Sequence, residues 1–287
     1  MQWPKNPALA LLYTVMPLLL MGLVEATQFG ILFVVNRADS TPRASVVQHM
    51  RAWWGELRCT AKVFGWWQPF RRAAVPDNLA PTSNTASTAP AAPLPGVVLV
   101  HGFFCNRGFW THWMRRLRSE GRVYVAVDLE PAFGSIDDYV ATIDTAVRKV
   151  RDATGRPPVL VGHSMGGLAI RAWMATKNAQ ALQNNAALRV ITLGTPHHGT
   201  WFGGAAHSVN GAQMRLASPW LKALEVQENT GHTAKYVCFF SNCDNIVFPV
   251  SSAKLEGADN RQLNAVGHVA IAHDASVINA CWALLQK

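Results

Sequence analysis

The six residues Gly162-His163-Ser164-Met165-Gly166-Gly167 constrain this chain more than any other stretch. They follow the apolar run 158–161, which reads as a buried strand, and they open a helical pattern through Ile170 and Trp173. A G-x-S-x-G turn between strand and helix doubles the backbone back sharply, so side chains next to the serine would collide and glycine flanks it on both sides. The turn lifts the Ser164 hydroxyl into the open. Such a turn belongs to a sheet whose strands end at a common edge with helices returning between them.

The rest of the chain after Gly96 agrees. Short apolar runs at 97–100, 123–129, 159–162, 190–193 and 236–240, with a short one at 262–266, read as strands. Between the second and third, Ile136, Val140, Ile143, Val147 and Val150 recur at helical spacing behind a cap at Ser135, which predicts a crossover helix. The expected class is α/β, a mostly parallel sheet flanked by helices.

A serine hydroxyl is a weak nucleophile and needs a histidine base and a carboxylate to orient that base. In a fold with this turn they follow the serine, acid first. Asp244 comes just after the strand 236–240, where catalytic loops gather, and His268 follows in Ala265-Val266-Gly267-His268. Asp259 and Glu256 lie in a polar loop with no strand before them and read as solvated groups. His273, beside Asp274 where the last helix begins, suits a capping or surface role. Acyl transfer also needs donors for the oxyanion: the backbone amides of Met165, next to the nucleophile, and of Phe103, in the loop after Val97-Val98-Leu99-Val100-His101-Gly102.

At these segments the chain resembles compact bacterial lipases and esterases of the α/β-hydrolase superfamily. VVLVHGF, GHSMGG and GTPHHGT carry the likeness, which spans 97–287; SNCDNIVFP resembles the acid-bearing turn and NAVGHVAI the catalytic-histidine turn. The resemblance puts Phe103 and Met165 at the oxyanion positions, gives His197 a structural or pocket-lining place, and makes His101, Gly102 and His163 expected neighbours of the substrate. It implies a serine carboxylic ester hydrolase that acts on lipid or other acyl esters through Ser164, Asp244 and His268, with an acyl-enzyme and no cofactor. A thioesterase, amidase or acyltransferase would use the same three residues, whereas a membrane-bound scaffold would not need them. Neighbouring His197 and His198 point apart and lack a third ligand, so no metal is expected. Between Thr200 and Thr233, Trp201, Phe202, Met214, Leu216, Trp220 and Leu221 suit a mobile lid and a fixed helical pair equally.

The apolar excess of the chain, 49% hydrophobic against 15% charged residues, gathers at its start. Residues 8–35 are almost wholly apolar and exceed the ~20 that span a bilayer as a helix, so 1–36 reads as a membrane anchor. Pro17 and Gly22 leave one tilted helix and two half-spans both open. A cleaved signal peptide is the competing reading, although no small-x-small site follows. Glu25 is expected near an interface or against a partner helix. In 37–75, Ser45 is a plausible cap, and Val46, Met50, Trp53, Leu57, Ala61 and Phe64 recur at helical spacing. Trp53, Trp54, Trp66 and Trp67 interleave with Arg51, Arg58, Lys62, Arg71 and Arg72, as on a helix at the headgroup layer, 45–70; packing on the catalytic domain is the alternative.

Residues 76–96, rich in Pro, Ala, Ser and Thr, read as a tether holding the catalytic domain, 97–287, some tens of ångströms from the bilayer at roughly 3 Å per residue. The net charge of +9 is spread evenly about Gly96 without a nucleic-acid motif, so anionic lipid rather than nucleic acid is the expected partner. A bacterial inner membrane is the expected location. Arg37, Arg43 and Arg51 after the span favour a cytoplasmic domain, the tether an exported one, and the side stays open. The five cysteines lack paired CxxC spacing; Cys238 and Cys243 either bridge or remain buried thiols.

Overall fold

The structure is a computed structural model of the chain and describes residues 6–80, 94–177, 188–228 and 233–286. Helix α1, Pro7–Val35, is continuous through Pro17, so the single helix rather than the broken pair is what forms. By length and composition it could cross a membrane, a test that a signal sequence also passes. Helix α2, Val46–Lys62, starts at Ser45 with a reciprocal capping box: Ser45 Oγ accepts the Gln48 N–H at 3.2 Å, and Gln48 Oε1 accepts the Ser45 N–H at 2.8 Å. Its path continues through the π-wound turn Val63–Trp67 into Gln68–Arg71.

Six parallel strands follow: β1 Val97–Val100, β2 Tyr124–Ala126, β3 Val159–His163, β4 Arg189–Leu193, β5 Tyr236–Ser241 and β6 Asp259–Leu263, in the spatial order β2-β1-β3-β4-β5-β6. The order reverses at β1, so the crevice beyond the C-terminal ends of β1 and β3 is the topological switch point, where ligands bind in open α/β sheets. Both faces of the sheet are covered. Along β1, Val98 and Val100 face the helices α4, Val140–Thr154, and α5, Met165–Ala175, while Val97 and Leu99 face α3, Thr111–Ser119, and the last helix, Ala275–Leu285, with Trp113 and Trp282. This two-sided burial explains why these strands read as unbroken apolar runs. The crossover helix starts where Ser135 predicts, as a 3₁₀ turn, Ile136–Tyr139, that passes into α4 and ends at Gly155.

Two strands differ from expectation. The run 123–129 pairs only over Tyr124–Ala126, and β6 starts three residues before the short run at 262–266, in the polar stretch with Asp259. β6 is an edge strand with little buried surface, so hydrophobic patterning carries no signal for it. Asp259 itself is solvated and pairs with Arg261 at 2.7 Å.

The largest departure concerns the N-terminal helices, which are docked on the catalytic domain rather than held off it. Phe29 and Leu32 of α1 and Ala52 of α2 share a buried cluster with Phe240, Cys243, Val247 and Phe248. Polar bonds fix the arrangement: Trp53 Nε1–H donates to the Gly22 carbonyl at 3.0 Å, Gln28 Oε1 accepts from Asn245 Nδ2 at 2.7 Å, and Asp39 Oδ2 accepts the Ser251 N–H at 2.9 Å. The buried face of α2 and its extension is Ala52, Glu56, Val63 and Trp67, whereas Val46, Met50 and Trp54 are exposed. The start of the supposed tether is also fastened, because Asn78 bridges to Tyr124 and Asp77 Oδ1 accepts the Ala126 N–H at 3.1 Å, covering the open edge of β2. The remainder of that segment, 81–93, lies outside the described residues.

Candidate active site

Ser164 stands between β3 and α5 with φ 54° and ψ −129°, a strained conformation for a residue with a side chain. The Ser164 N–H donates to the Leu193 carbonyl at 2.9 Å, and its own carbonyl accepts from Thr195 Oγ1 at 3.0 Å, so β4 and its following turn hold the strained residue in place. Packing around the turn is tight: a Cβ added at Gly166 would lie 2.3 Å from the Val100 carbonyl oxygen, and one at Gly102 would lie 2.8 Å from Ser164 Cβ. These contacts press the start of α5 against the loop leaving β1. The Phe103 and Met165 amides therefore belong to adjoining backbone segments, and Met165, as the first residue of its helix, has an N–H without an intrahelical acceptor.

Asp244 and His268 arrive from the ends of β5 and β6. His268 Nδ1–H donates to Asp244 Oδ2 at 3.0 Å, with both side chains buried. The other carboxylate oxygen, Oδ1, accepts the N–H groups of Ile246 at 2.9 Å and Val247 at 2.8 Å, which fixes the carboxyl plane. With Nδ1 committed to Asp244, Nε2 is the nitrogen free to act as acceptor. Burial pulls the imidazole pKa down, but the Asp244 charge, its hydrogen bond and the more distant Glu56 charge outweigh this and hold His268 above the ordinary histidine value.

The serine and the histidine–carboxylate pair converge on one place. A Cβ on Gly194, which directly follows the residue that accepts the Ser164 N–H, would lie 3.0 Å from Asp244 Oδ2 and 3.2 Å from His268 Nδ1. The ring of His163, next to Ser164, lies 4.7 Å from that of His268, and its Nε2–H donates to the His268 carbonyl at 3.1 Å. A serine at a strand end, an oriented imidazole and the adjoining Phe103 and Met165 backbone segments together form an arrangement suited to nucleophilic acyl chemistry.

The three histidines expected to neighbour the substrate or line its pocket all have partners within the protein. His101 donates from Nδ1 to the Gly102 carbonyl at 2.9 Å and accepts the Leu129 N–H on Nε2 at 3.1 Å, so both nitrogens serve the backbone; burial brings its pKa down to about 4. His163 is buried, stacked on Phe109 at 4.4 Å, and its pKa lies well below the ordinary value through burial and the His268 charge. His197 lies buried against Thr192, 3.1 Å from Oγ1, while His198 turns outward. All three brace loops, and Gly102 keeps the place beside Ser164 that the sequence suggests.

His273 is likewise no free surface group: half-buried, its ring packs against Phe109 and Trp67, and desolvation brings it down to about 3. The capping falls to Asp274, whose Oδ1 accepts the Ser276 N–H at 2.9 Å. Cys238 and Cys243 are free buried thiols, both pushed up to about 12 by burial. Within 200–228 and 233, the segment is bonded to and packed on the rest of the domain. The Trp201 N–H donates to the Phe248 carbonyl at 2.9 Å, Asn210 Nδ2 donates to the Ala132 carbonyl at 2.9 Å, and Pro219–Gln227 lies on α5. Residues 229–232 lie outside the described residues.

In and beside the loop after β1, Phe103, Phe104 and Phe133 form an aromatic cluster with ring centroids 5.7 to 6.5 Å apart, and Phe104 and Phe133 are 67% and 52% exposed. Sequence reasoning did not single out this rim, nor two residues that hold the site: Thr195, on the Ser164 carbonyl, and Asn245, whose Oδ1 accepts the His268 N–H at 3.0 Å.

Residues 97–268 match the Alpha/beta hydrolase family. Among solved structures, the mature form of Bacillus licheniformis lipase BlEst2 superposes with a TM-score of 0.57 at 19% identity, covering 71% of this chain and 96% of that one. Its propeptide form gives 0.57 at 20% identity, covering 70% of this chain and 52% of that one. Aspergillus fumigatus lipase B gives 0.51 at 17% identity over 62% and 49%. Likeness at these identities speaks to the fold, and the match over the whole β1-to-His268 region goes further: this chain belongs to the alpha/beta hydrolase family.

Proposed function

We propose that this protein is a serine carboxylic ester hydrolase of the lipase or esterase type. The observation that carries the reading is the Asp244–His268 hydrogen bond of 3.0 Å beside a serine held at φ 54° on the strand–helix turn. Ser164 Oγ attacks the acyl carbonyl carbon while His268 Nε2 takes its proton, and the oxyanion accepts from the Phe103 and Met165 amides. The tetrahedral adduct collapses to the acyl-enzyme, and the alcohol leaves with the proton from His268. Water, deprotonated by the same nitrogen, then attacks the acyl carbon and releases the acid and the serine. Asp244 holds the imidazole throughout.

Lipid or other acyl-ester substrates are favoured by the exposed Phe104 and Phe133 at the rim and by the apolar outer faces of α1 and α2, where Leu11, Leu19, Leu23, Val47 and Trp54 are all more than half exposed. A retained membrane anchor, rather than a cleaved leader, is supported by the bonds of Gln28 and Asp39 to the catalytic domain, which cleavage after the apolar segment would sever in part and which bury Phe248 beneath Phe29 and Leu32. The fold shared with two named lipases agrees with this reading.

Labelling with a fluorophosphonate probe tests the nucleophile. The wild-type chain labels and Ser164→Ala does not; labelling that persists in Ser164→Ala overturns the assignment. Comparison of short-chain soluble esters with long-chain esters in vesicles then separates esterase from lipase behaviour.

A further inference from the structure

His268 opens a four-residue helix, His268–Ile271, and the first three N–H groups of that turn are all bound by side chains. The His268 N–H goes to Asn245 Oδ1 at 3.0 Å, the Val269 N–H to Glu56 Oε1 at 2.9 Å and the Ala270 N–H to Glu56 Oε2 at 2.9 Å. Asn245 is held from behind, because its Nδ2 donates to Gln28 Oε1 at 2.7 Å. Glu56 stands on α2 and Gln28 on α1, more than 200 residues before the turn they reach. Both routes to the histidine therefore begin in the N-terminal helices.

The choice of residue at 56 carries the argument. Glu56 is 1% exposed, and no cation faces it closely enough to form an ion pair among the described residues. Burying a carboxylate costs several kcal/mol before its hydrogen bonds are counted, and a leucine or methionine would fill the space without that cost. What an apolar residue cannot do is take two adjacent backbone donors at once. Gly267 accommodates the approach: a Cβ there would lie 2.6 Å from Glu56 Oε2.

We infer that Glu56, assisted by Gln28 through Asn245, is a positioning residue for His268, so that the histidine turn is set only while α1 and α2 are docked on the catalytic domain. The inference rests on the proposed role of His268 and extends it to the N-terminal helices. Asp244, His163 and Glu56 are the titratable groups facing His268, and Glu25, Cys59, Asp244 and His268 are those facing Glu56. Because burial raises Glu56 to about 7, its carboxyl is ionised over only the upper part of the range in which His268 titrates; there it is one of the two anions that favour the imidazolium, so in Glu56→Gln the acid limb of the activity profile moves to lower pH.

The experiment uses the full chain in detergent or lipid nanodiscs. Wild type, Glu56→Gln, Glu56→Asp and Gln28→Ala are compared in ester hydrolysis against pH, in thermal unfolding and in hydrogen exchange of the Val269 and Ala270 amides. Glu56→Gln is expected to lose between about 10- and 100-fold in kcat with KM little changed, as misplacement of a reacting group does. Its acid limb moves to lower pH, and the two amides exchange faster than the rest of the domain. Glu56→Asp keeps the charge and returns the acid limb toward wild type, which a purely structural role would not do. A folded Glu56→Gln chain with wild-type kcat and an unmoved acid limb overturns the proposal. Should Glu56→Gln not fold, Gln28→Ala decides in its place: slower turnover with faster exchange at the turn supports it, and wild-type values of both overturn it. If the wild-type chain hydrolyses no ester, the functional reading fails by itself, and the exchange of Val269 and Ala270 still decides the positioning claim.

Discussion

Arg171 of α5, the helix that follows Ser164, forks onto Glu228, Nε to Oε1 at 2.7 Å and Nη2 to Oε2 at 2.5 Å, with both side chains buried. Its remaining nitrogen Nη1 donates to the His197 carbonyl at 2.7 Å, so one guanidinium ties α5, the helix Pro219–Gln227 and the turn after β4 into a unit. Removing one partner of such a pair strands a charge where water cannot reach it. Glu228→Gln is expected to destabilise the chain by about 3–5 kcal/mol, measured by denaturant unfolding, whereas a double change of Arg171→Met and Glu228→Leu costs much less. Equal losses in the single and double variants would show that the charge is not what matters.

The Asp244–His268 pair makes a prediction about pH. Activity needs neutral Nε2, and because the Asp244 charge helps hold His268 above its ordinary value despite burial, the acid limb of kcat/KM lies above pH 6.5. Asp244→Asn removes both the charge and the acceptor for Nδ1–H. It lowers kcat by a factor on the order of 10⁴, the loss seen when an orienting carboxylate is made neutral, and what activity remains has its acid limb at lower pH.

Glu56 links ionisation to stability. Burial raises its pKa from 4.5 to about 7, the two backbone hydrogen bonds only partly opposing that rise. The folded chain therefore binds this proton more tightly than the unfolded chain, so the associated stability is complete below pH 4.5 and is lost as pH rises through about 7. A shift of that size corresponds to about 3 kcal/mol across the window. Unfolding free energies measured from pH 4 to 8 are expected to fall more steeply for wild type than for Glu56→Gln; parallel curves would remove Glu56 as the source.

The strand–helix turn should tolerate nothing larger than glycine at 166. A methyl group there meets the Val100 and His101 carbonyl oxygens at 2.3 and 2.5 Å, and both are main-chain atoms that cannot swing aside. Gly166→Ala is expected to cost about 1–3 kcal/mol and to slow fluorophosphonate labelling of Ser164. Unchanged labelling would mean that the loop after β1 can withdraw without disturbing the site.

The outward face of α2 offers a test of lipid contact. Val47 and Met50 are 73% and 65% exposed. Replacing both by aspartate is expected to lower hydrolysis of vesicle-borne esters between about 5- and 10-fold while leaving soluble esters unaffected. Equal effects on both substrates would place this face away from lipid.

Much of the catalytic domain was legible because its rules are local. The strand–turn–helix signature at Ser164 and the apolar runs of β1, β3, β4 and β5 each carry their meaning within a dozen residues, and the positions of Asp244 and His268 follow from strand ends. What escaped depends on partners distant in sequence. Glu56 was not singled out, because the stripe Val46, Met50, Trp53, Leu57 suggested one apolar face; the helix in fact lies between α1 and the catalytic domain and buries another, Ala52, Glu56, Val63 and Trp67. A lone carboxylate one helical turn from a buried alanine was the available sign. His273 was misplaced for a similar reason, since its surroundings are supplied by Phe109 and Trp67. β6 was shifted because an edge strand needs no hydrophobic alternation.

The contacts from Gln28 to Asn245 and from Glu56 to Val269 and Ala270 span 217, 213 and 214 residues. Synthesis runs from the amino end, so the first helix is in place long before the segment it must grip exists. Closing so wide a loop is the slow, entropically costly kind of event in folding, and here it coincides with the docking of the turn that carries His268. If Ser164 and His268 act as proposed, a nascent chain would carry its serine on a finished turn and reach full activity only when the N-terminal helices grip the histidine turn.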